Sequence, residues 1–427
     1  MSDSVEASRR RRRAGPWIAA VGVVGMVAAI AVAGLTSTAS ASPAKSARAA
    51  AQACGQDITF KTKDPDGVFA KLPPELQARY AVYPFGVRAT PWASSAPVKK
   101  PWKIGLIMFP IGSPWQADLV KQAGVEFDKA KAKGLVTGSL VKYIQPSFAT
   151  ATPEQQISAI QQMVRDGVNG ILLLPLAGPP LAPAIDEAGK AGVPVVILDN
   201  VIDQAKYVVN VFWQNNSPAA AGVLGLVKTG NVLIVRGIAG NPVEQTFHDA
   251  AIADIKACPG IKIVGTIYGK WTNASAKAEV LKWLAAHPST KVDAVIQHGI
   301  MMSGIIQAFL QAGRPVPPVS GGGCQGGELA WWLAHKSTYR SVATCFNGYQ
   351  TAWSEFRLLL RVLDGRGLRV RDIHIVPTVV TNENLAVFAT PGKPLTWPGE
   401  PRGPIDGWAS NKVLDGYFTK PGTPGGL

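Results

Sequence analysis

The sequence predicts an α/β protein of two doubly wound, Rossmann-like lobes, and three observations carry that prediction. The first is Pro194-Val195-Val196-Ile197-Leu198-Asp199-Asn200, an apolar, mostly β-branched run ending abruptly in two polar residues. A run without alternation suits a strand buried on both faces of a parallel sheet. The second is a regular exchange of such runs with helix-period segments over residues 103–200. The third is the return of the same order over residues 232–380. Strands alternating with helices imply parallel sheets covered by helices, and two arrays imply two lobes. Ligands of such sheets bind beyond the carboxyl ends of the strands, where Asp199 and Asn200 stand.

Taken from the start, Arg9–Arg13 precede Trp17–Leu35, a segment without a charge, and then Ala39-Ser40-Ala41. A basic head, an apolar stretch and an Ala-x-Ala site make a secretory signal over residues 1–41. The apolar stretch is also long enough to span a bilayer, so an uncleaved anchor is the alternative. Either reading places the remainder outside the cytoplasm. Residues 42–53 are rich in Ala and Ser and read as a tether. Residues 55–100 hold prolines and aromatics without sustained periodicity and resemble an ordered extension more than a domain.

The regular part begins with Lys103–Phe109, a strand, followed by a helix from Trp115 to Gly134 and a strand over Leu140–Ile144. Thr152-Pro153-Glu154-Gln155 opens the next helix with a capping residue, a proline at the first helical position and Gln at the third. Gly170–Leu176 returns as a buried strand, and Pro180–Gly192 leads as a helix into the Pro194 strand. The second array runs from the strand Val232–Ile238 through a capped helix starting at Asn241-Pro242-Val243-Glu244 and ending at Cys258-Pro259-Gly260. Ile261–Tyr268, Val292–Gln297 and Arg340–Cys345 are strands; Lys277–Ala286, Ile300–Gly313 and Tyr349–Leu363 are helices; Ile373–Val380 closes the array as one strand. Gly321–Gly327 reads as a tight glycine turn, since it lacks the Lys-Ser/Thr of a phosphate loop.

Of the formal net charge of +15, the leader supplies five arginines against Asp3 and Glu6, so the rest carries +12, well dispersed. No aromatic-interleaved basic stripe occurs, which argues against nucleic acid; an anionic envelope or membrane surface suits dispersed charge better. The cysteines Cys54, Cys258, Cys324 and Cys345 fit an oxidising compartment, allow three pairings and lack zinc spacing. His248, His287, His298, His335 and His374 form no metal-spaced cluster, and neither G-x-S-x-G nor G-x-G-x-x-G follows a strand. Catalysis and a cofactor are therefore not expected.

In order, KIGLIMFPIGSPW (Lys103–Trp115), GILLLPL (Gly170–Leu176), AGVPVVILDN (Ala191–Asn200), VRGIAGN (Val235–Asn241), YGKW (Tyr268–Trp271) and AAHPSTKVDAVIQ (Ala285–Gln297) resemble the ribose/galactose-type periplasmic (type I) solute-binding proteins of sugar ABC transporters. The likeness covers roughly residues 101–390. It implies two lobes, residues 101–212 with 346–378 and residues 213–345 with 379–392, and a tail over 393–427. Three hinge crossings are implied near Phe212–Asn215, Thr344–Asn347 and Pro377–Val380. The implied partners are a sugar or sugar-like small molecule and an ABC permease. The lactose-repressor-type regulators share the fold, but this chain has a secretory leader where they carry a helix-turn-helix. A membrane-tethered sensor signalling to a kinase or chemoreceptor is the alternative function, with residues 17–35 as its membrane association.

Carried over by position, the implied ligand contacts are Ser113, Trp115 and Gln116 after the first strand, Asp199 and Asn200 after the VVIL strand, and Trp271 after the Tyr-Gly turn. Indole faces pack on the C–H surface of a sugar, while carboxylates and amides pair with its hydroxyls. Three positions depart from the family pattern. Phe247, beside His248, stands where an arginine is common. His298-Gly299 replaces Asn-Asp, and Gly321-Gly322-Gly323 replaces a Phe-Asp-Gly turn. These losses argue against a simple pentose or hexose held in the standard way, with Glu244, Gln245, Gln325, Asn347 or Gln214 as possible compensation. Gly322 and Thr344 complete the implied contact set. The same register brings Cys324 and Cys345 together at the cleft edge and implies a disulfide between them. It leaves open a Cys54–Cys258 bond, which would pin the extension to the second lobe.

Overall fold

The computed structural model describes residues 53–427 apart from 214–216, 400, 404, 406 and 408. The signal or anchor over residues 1–41, nearly all of the tether, and Gln214 lie outside the described residues. Among the described residues no helix is long and apolar enough to cross a membrane.

The first array supplies β1 (Ile104–Met108), β2 (Val141–Ile144), β3 (Gly170–Leu174), β4 (Val195–Ile197) and β5 (Val208–Trp213). The second supplies β6 (Thr229–Arg236), β7 (Gly260–Tyr268), β8 (Ala294–Gln297), β9 (Gly321–Gly322) and β10 (Ala343–Cys345), and the chain then adds β11 (Asp372–Ile375) and β12 (Thr378–Val380). The first sheet has the order β11-β5-β4-β3-β1-β2 and all its pairings are parallel. Every residue of β1, β3, β4 and β5 is buried, as continuous apolar runs require. The second lobe holds β7-β6-β8 and β9-β10-β12, with β12 antiparallel. A Val295–Val319 bridge joins the two groups, with Ser320 N donating to Val295 O at 2.9 Å, so the sheet continues across them.

Helices cover both sheets. The one over Pro153–Arg165 begins with the expected capping box between Thr152 and Gln155. Helix Gly348–Leu363 lies against helix Pro114–Ala132 so closely that a Cβ on Gly348 would sit 1.8 Å from Trp115 O. Glycine there sets the depth of Trp115 at the mouth of the first sheet. Buried Glu126 and Arg357 join the same two helices through an ion pair of 2.9 Å.

The structure departs from the sequence reading in three places. Strand β5 and helix Ser217–Val227 had no counterpart in it, because Asn210 interrupts the first and the second is apolar on nearly every side. The closing strand over Ile373–Val380 is two strands in different sheets: Pro377 separates β11 from β12, and the chain changes lobe there. The glycine turn after Val319 is β9 followed by a nine-residue helix, Gly326–Ala334, capped by a Gln325–Glu328 box. Of the other expected crossings, the one near Phe212–Asn215 falls partly outside the described residues, and the chain passes back to the first lobe between Cys345 and Gly348.

Residues 53–102 form an extension whose middle, from Tyr80 to Trp92, follows the β11–β5 edge of the first sheet. Tyr80 Oη donates to Asp372 O at 2.6 Å, Arg88 N to Asp372 Oδ2 at 3.0 Å, and Trp92 Nε1 to Tyr207 O at 2.8 Å. The head of this extension reaches the second lobe, where Cys54 is bonded to Cys258 and Ser217 Oγ donates to Asp57. The tail crosses too. Gly326 N donates to Gly399 O at 2.8 Å on the second lobe, whereas Arg361 pairs with Asp415 and Tyr417 Oη donates to His374 O on the first. Both terminal segments therefore touch both lobes, in addition to the three hinge crossings.

Candidate functional site

The carboxyl ends of the strands of both lobes converge on a narrow cleft of about 50 Å³. The first lobe contributes Phe109 and Leu174 from strand ends, Trp115 and Gln116 from the start of a helix, and Asp199 and Asn200 beyond β4. The second lobe contributes Asn241, Val243, Phe247, Trp271, Gly299 and Ile300, and Phe346 lies in the second crossing. Trp115 and Trp271 thus face one hollow from opposite lobes.

Each indole is held by its own N–H. Trp115 Nε1 donates to Phe346 O at 3.2 Å, and Trp271 Nε1 donates to His298 O at 2.5 Å. Trp271 has φ 55°, a left-handed conformation that costs a bulky residue free energy and persists only when its surroundings impose it. Gly237 and Gly299 do so: a Cβ on either would fall 2.2 or 2.7 Å from the indole. The ring is wedged between two backbones, so its orientation precedes any ligand.

Asp199 also has a left-handed φ, 47°, which short polar side chains tolerate. Its Oδ1 accepts from Trp213 N at 3.2 Å. Burial pushes its carboxyl well above the usual carboxylate range, against that hydrogen bond. Glu355 lies behind it and accepts from Trp213 Nε1 at 3.0 Å. Burial raises the Glu355 carboxyl as well, against that indole hydrogen bond, and the Asp199 charge adds to the rise. Two buried carboxyls thus stand one behind the other, Asp199 at the cleft and Glu355 beneath it. Among the described residues that line the cleft there is no Lys, Arg or His.

The remaining polar groups are largely committed. Asn241 Oδ1 caps its helix, accepting from Val243 N at 2.9 Å and Glu244 N at 3.4 Å, while its Nδ2 reaches across the lobes to Leu176 O at 3.2 Å. Asn200 Oδ1 accepts from Val201 N at 2.9 Å. Gln116 Oε1 accepts from Ser113 Oγ.

Of the contacts expected from sequence, Trp115, Gln116, Asp199, Asn200, Phe247 and Trp271 line the cleft. Ser113 is buried behind Gln116. His298 is fully buried, its Nδ1 2.9 Å from Glu244 Oε1, and its carbonyl anchors Trp271. His248 is half-buried, its ring 5.5 Å from that of His298. Gly322 and Thr344 are register partners within the second sheet, away from the lining. Burial alone would raise Glu244, yet hydrogen bonds from His298 and Arg236 bring it down to about 2, so it is a fixed anion serving its neighbours rather than the cleft. Gln325 and Asn347 border a smaller hollow of about 10 Å³ beside the hinge. Cys324 and Cys345 are bonded, Cα–Cα 4.8 Å, as the resemblance implied. Phe109, Leu174, Asn241, Val243, Ile300 and Phe346 were not named from sequence. For Phe109 and Leu174 the signal was available, since both end apolar strands where ligands of such sheets bind.

A model of the periplasmic binding protein domain matches residues 104–367. The galactofuranose-binding protein of Escherichia coli is 27% identical over 230 residues, 52% of this chain and 69% of that one. The xylitol-binding protein of Mycolicibacterium smegmatis is 22% identical over 171 residues, and there the chain spans about half of the relative, 49%. An ABC transporter solute-binding protein from Thermobispora bispora superposes with a TM-score of 0.60 at 27% identity, covering 67% of this chain and 87% of that one. A solute-binding protein from Bacillus halodurans with bound myo-inositol gives 0.56 at 16% identity over 67% and 97%, a likeness of fold alone. With matched residues running from β1 to the end of the helix that follows the second crossing, the chain belongs to the periplasmic binding protein domain family.

Proposed function

We propose that this protein is an extracytoplasmic receptor that captures a sugar or sugar-like small molecule between its lobes and delivers it to an ABC importer. One observation carries the reading. Trp115 and Trp271 come from different lobes yet line one cleft with Asp199, Asn200 and Gln116 on its floor. Aromatic faces with a few polar groups suit a polyol ring. Similarity to galactofuranose-, xylitol- and ribose/allose-binding proteins supports the class. The residues act by binding, not by bond making. A ligand touching both jaws stabilises the closed arrangement in proportion to its extra contacts there. The permease then reads the closed form. Residues 1–41 as a cleaved signal would release the receptor outside the cytoplasm.

The test is a thermal-shift panel of sugars, polyols, nucleosides and glycosides, followed by small-angle scattering on every hit. A ligand should raise Tm and reduce the radius of gyration. A panel without any shift would overturn the reading.

A further inference from the structure

Resting on that reading, we infer that the ligand is a neutral glycoside with an apolar aglycone, rather than a free monosaccharide or a sugar acid. The two walls of the cleft differ in kind. The first-lobe wall sets Gln116, Asp199 and Asn200 beside Phe109, Trp115 and Leu174, whereas the second-lobe wall presents Val243, Phe247, Trp271 and Ile300 with Asn241 at its edge.

Counting hydrogen-bond capacity sharpens the asymmetry. Asn241, the one polar side chain on the second-lobe wall, has its oxygen on two backbone amides and its nitrogen on Leu176 O. The two indole N–H groups, which could otherwise address ligand oxygens, are turned into the backbone carbonyls of Phe346 and His298. Leu174 O accepts from Gln156 Nε2 at 3.1 Å, so that carbonyl is engaged as well. The oxygens of Gln116 and Asn200 are already acceptors within the protein, which leaves their amide N–H groups to face a ligand as donors. Asp199 completes the polar side of the cleft, with its Oδ1 accepting from Trp213 N at 3.2 Å. A free hexose brings hydroxyls around its whole ring, and those facing the second lobe would be desolvated without partners, which costs affinity. A ring with hydroxyls on one side and an apolar substituent on the other meets both walls. Among the described residues no Lys, Arg or His lines the cleft, so a ligand carboxylate or phosphate would be desolvated there without a compensating charge.

The experiment measures affinity of the full exported chain by calorimetry. Several parent sugars are each compared with their own α- and β-phenyl glycosides and with the matching uronate. The expected result is that at least one phenyl glycoside binds about tenfold or more tighter than its parent, and that no uronate binds. Phe247→Arg should remove the phenyl preference and admit the uronate; circular dichroism confirms that the variant folds, and the wild-type comparison decides alone if it does not. Free sugars binding as tightly as every phenyl glycoside, or a uronate binding the wild type, would overturn the inference and leave the receptor reading intact. Binding of no member of the panel would bring down both.

Discussion

Cys54, at the head of the N-terminal extension, is bonded to Cys258 at the far end of a second-lobe helix, with 4.6 Å between their Cα atoms. The same extension is anchored on the first lobe through Tyr80, Arg88 and Trp92. It is therefore a covalent strap across a molecule whose work requires opening. Replacing both cysteines by serine should increase the radius of gyration of the ligand-free protein and leave the ligand-bound value unchanged. The bond closes a long loop, and the chain-entropy model gives such a loop at most about 5 kcal/mol of stability. Scattering curves that coincide with and without the bond would show that the strap does not limit opening.

Gly237→Ala tests the seating of Trp271. Its new methyl would meet the indole at 2.2 Å, so the ring must leave its slot. Affinity for the ligand should fall about tenfold or more, equivalent to ~1.4 kcal/mol, although the alanine touches no ligand. Unchanged calorimetric affinity would mean that the ring position does not matter.

Trp115→Ala should weaken binding by a similar factor while both lobes stay folded. The indole is 8% exposed and its main polar bond goes to Phe346 O, next to the second crossing. Reduced ligand-induced compaction in scattering should accompany the loss, because Trp115 bears on the hinge as well as the cleft.

The pH dependence of stability has a local source in Glu328. Burial raises its carboxyl from 4.5 to about 8, against hydrogen bonds from the Gln325 and Ser303 amides. The folded protein thus holds a proton that the unfolded chain releases. The associated stability is full below pH 4.5 and is lost as pH rises through about 8. Glu328→Gln should remove up to about 1.4 kcal/mol per pH unit of downward slope in that window. Urea unfolding at pH 5, 6.5 and 8 measures it; parallel slopes in the two proteins would exclude Glu328 as the source.

Much of the fold was legible because its signals are local. Thr152 and Gln155 announce a helix start within four residues, and the Pro194 run announces a doubly buried strand without reference to any partner. What escaped depends on distant pairing. Asn210 breaks the apolar run of β5, and only its bonds to Ile202 N and Asp372 show why an amide is satisfied there. The split between β11 and β12 follows from which sheet each segment joins, a choice made by β5 and β10.

By itself the sequence determined two α/β lobes and the residues at strand ends facing a cleft, because hydrophobic period and capping chemistry act over a few residues. Only the tertiary structure decided which way the polar atoms of that cleft point. It turned the indole N–H groups into carbonyls, placed His298 behind Trp271, and drew both termini across the lobes. The physical reason is that a hydrogen bond is claimed by whichever partner packing brings near, and packing is settled by residues far apart in the chain.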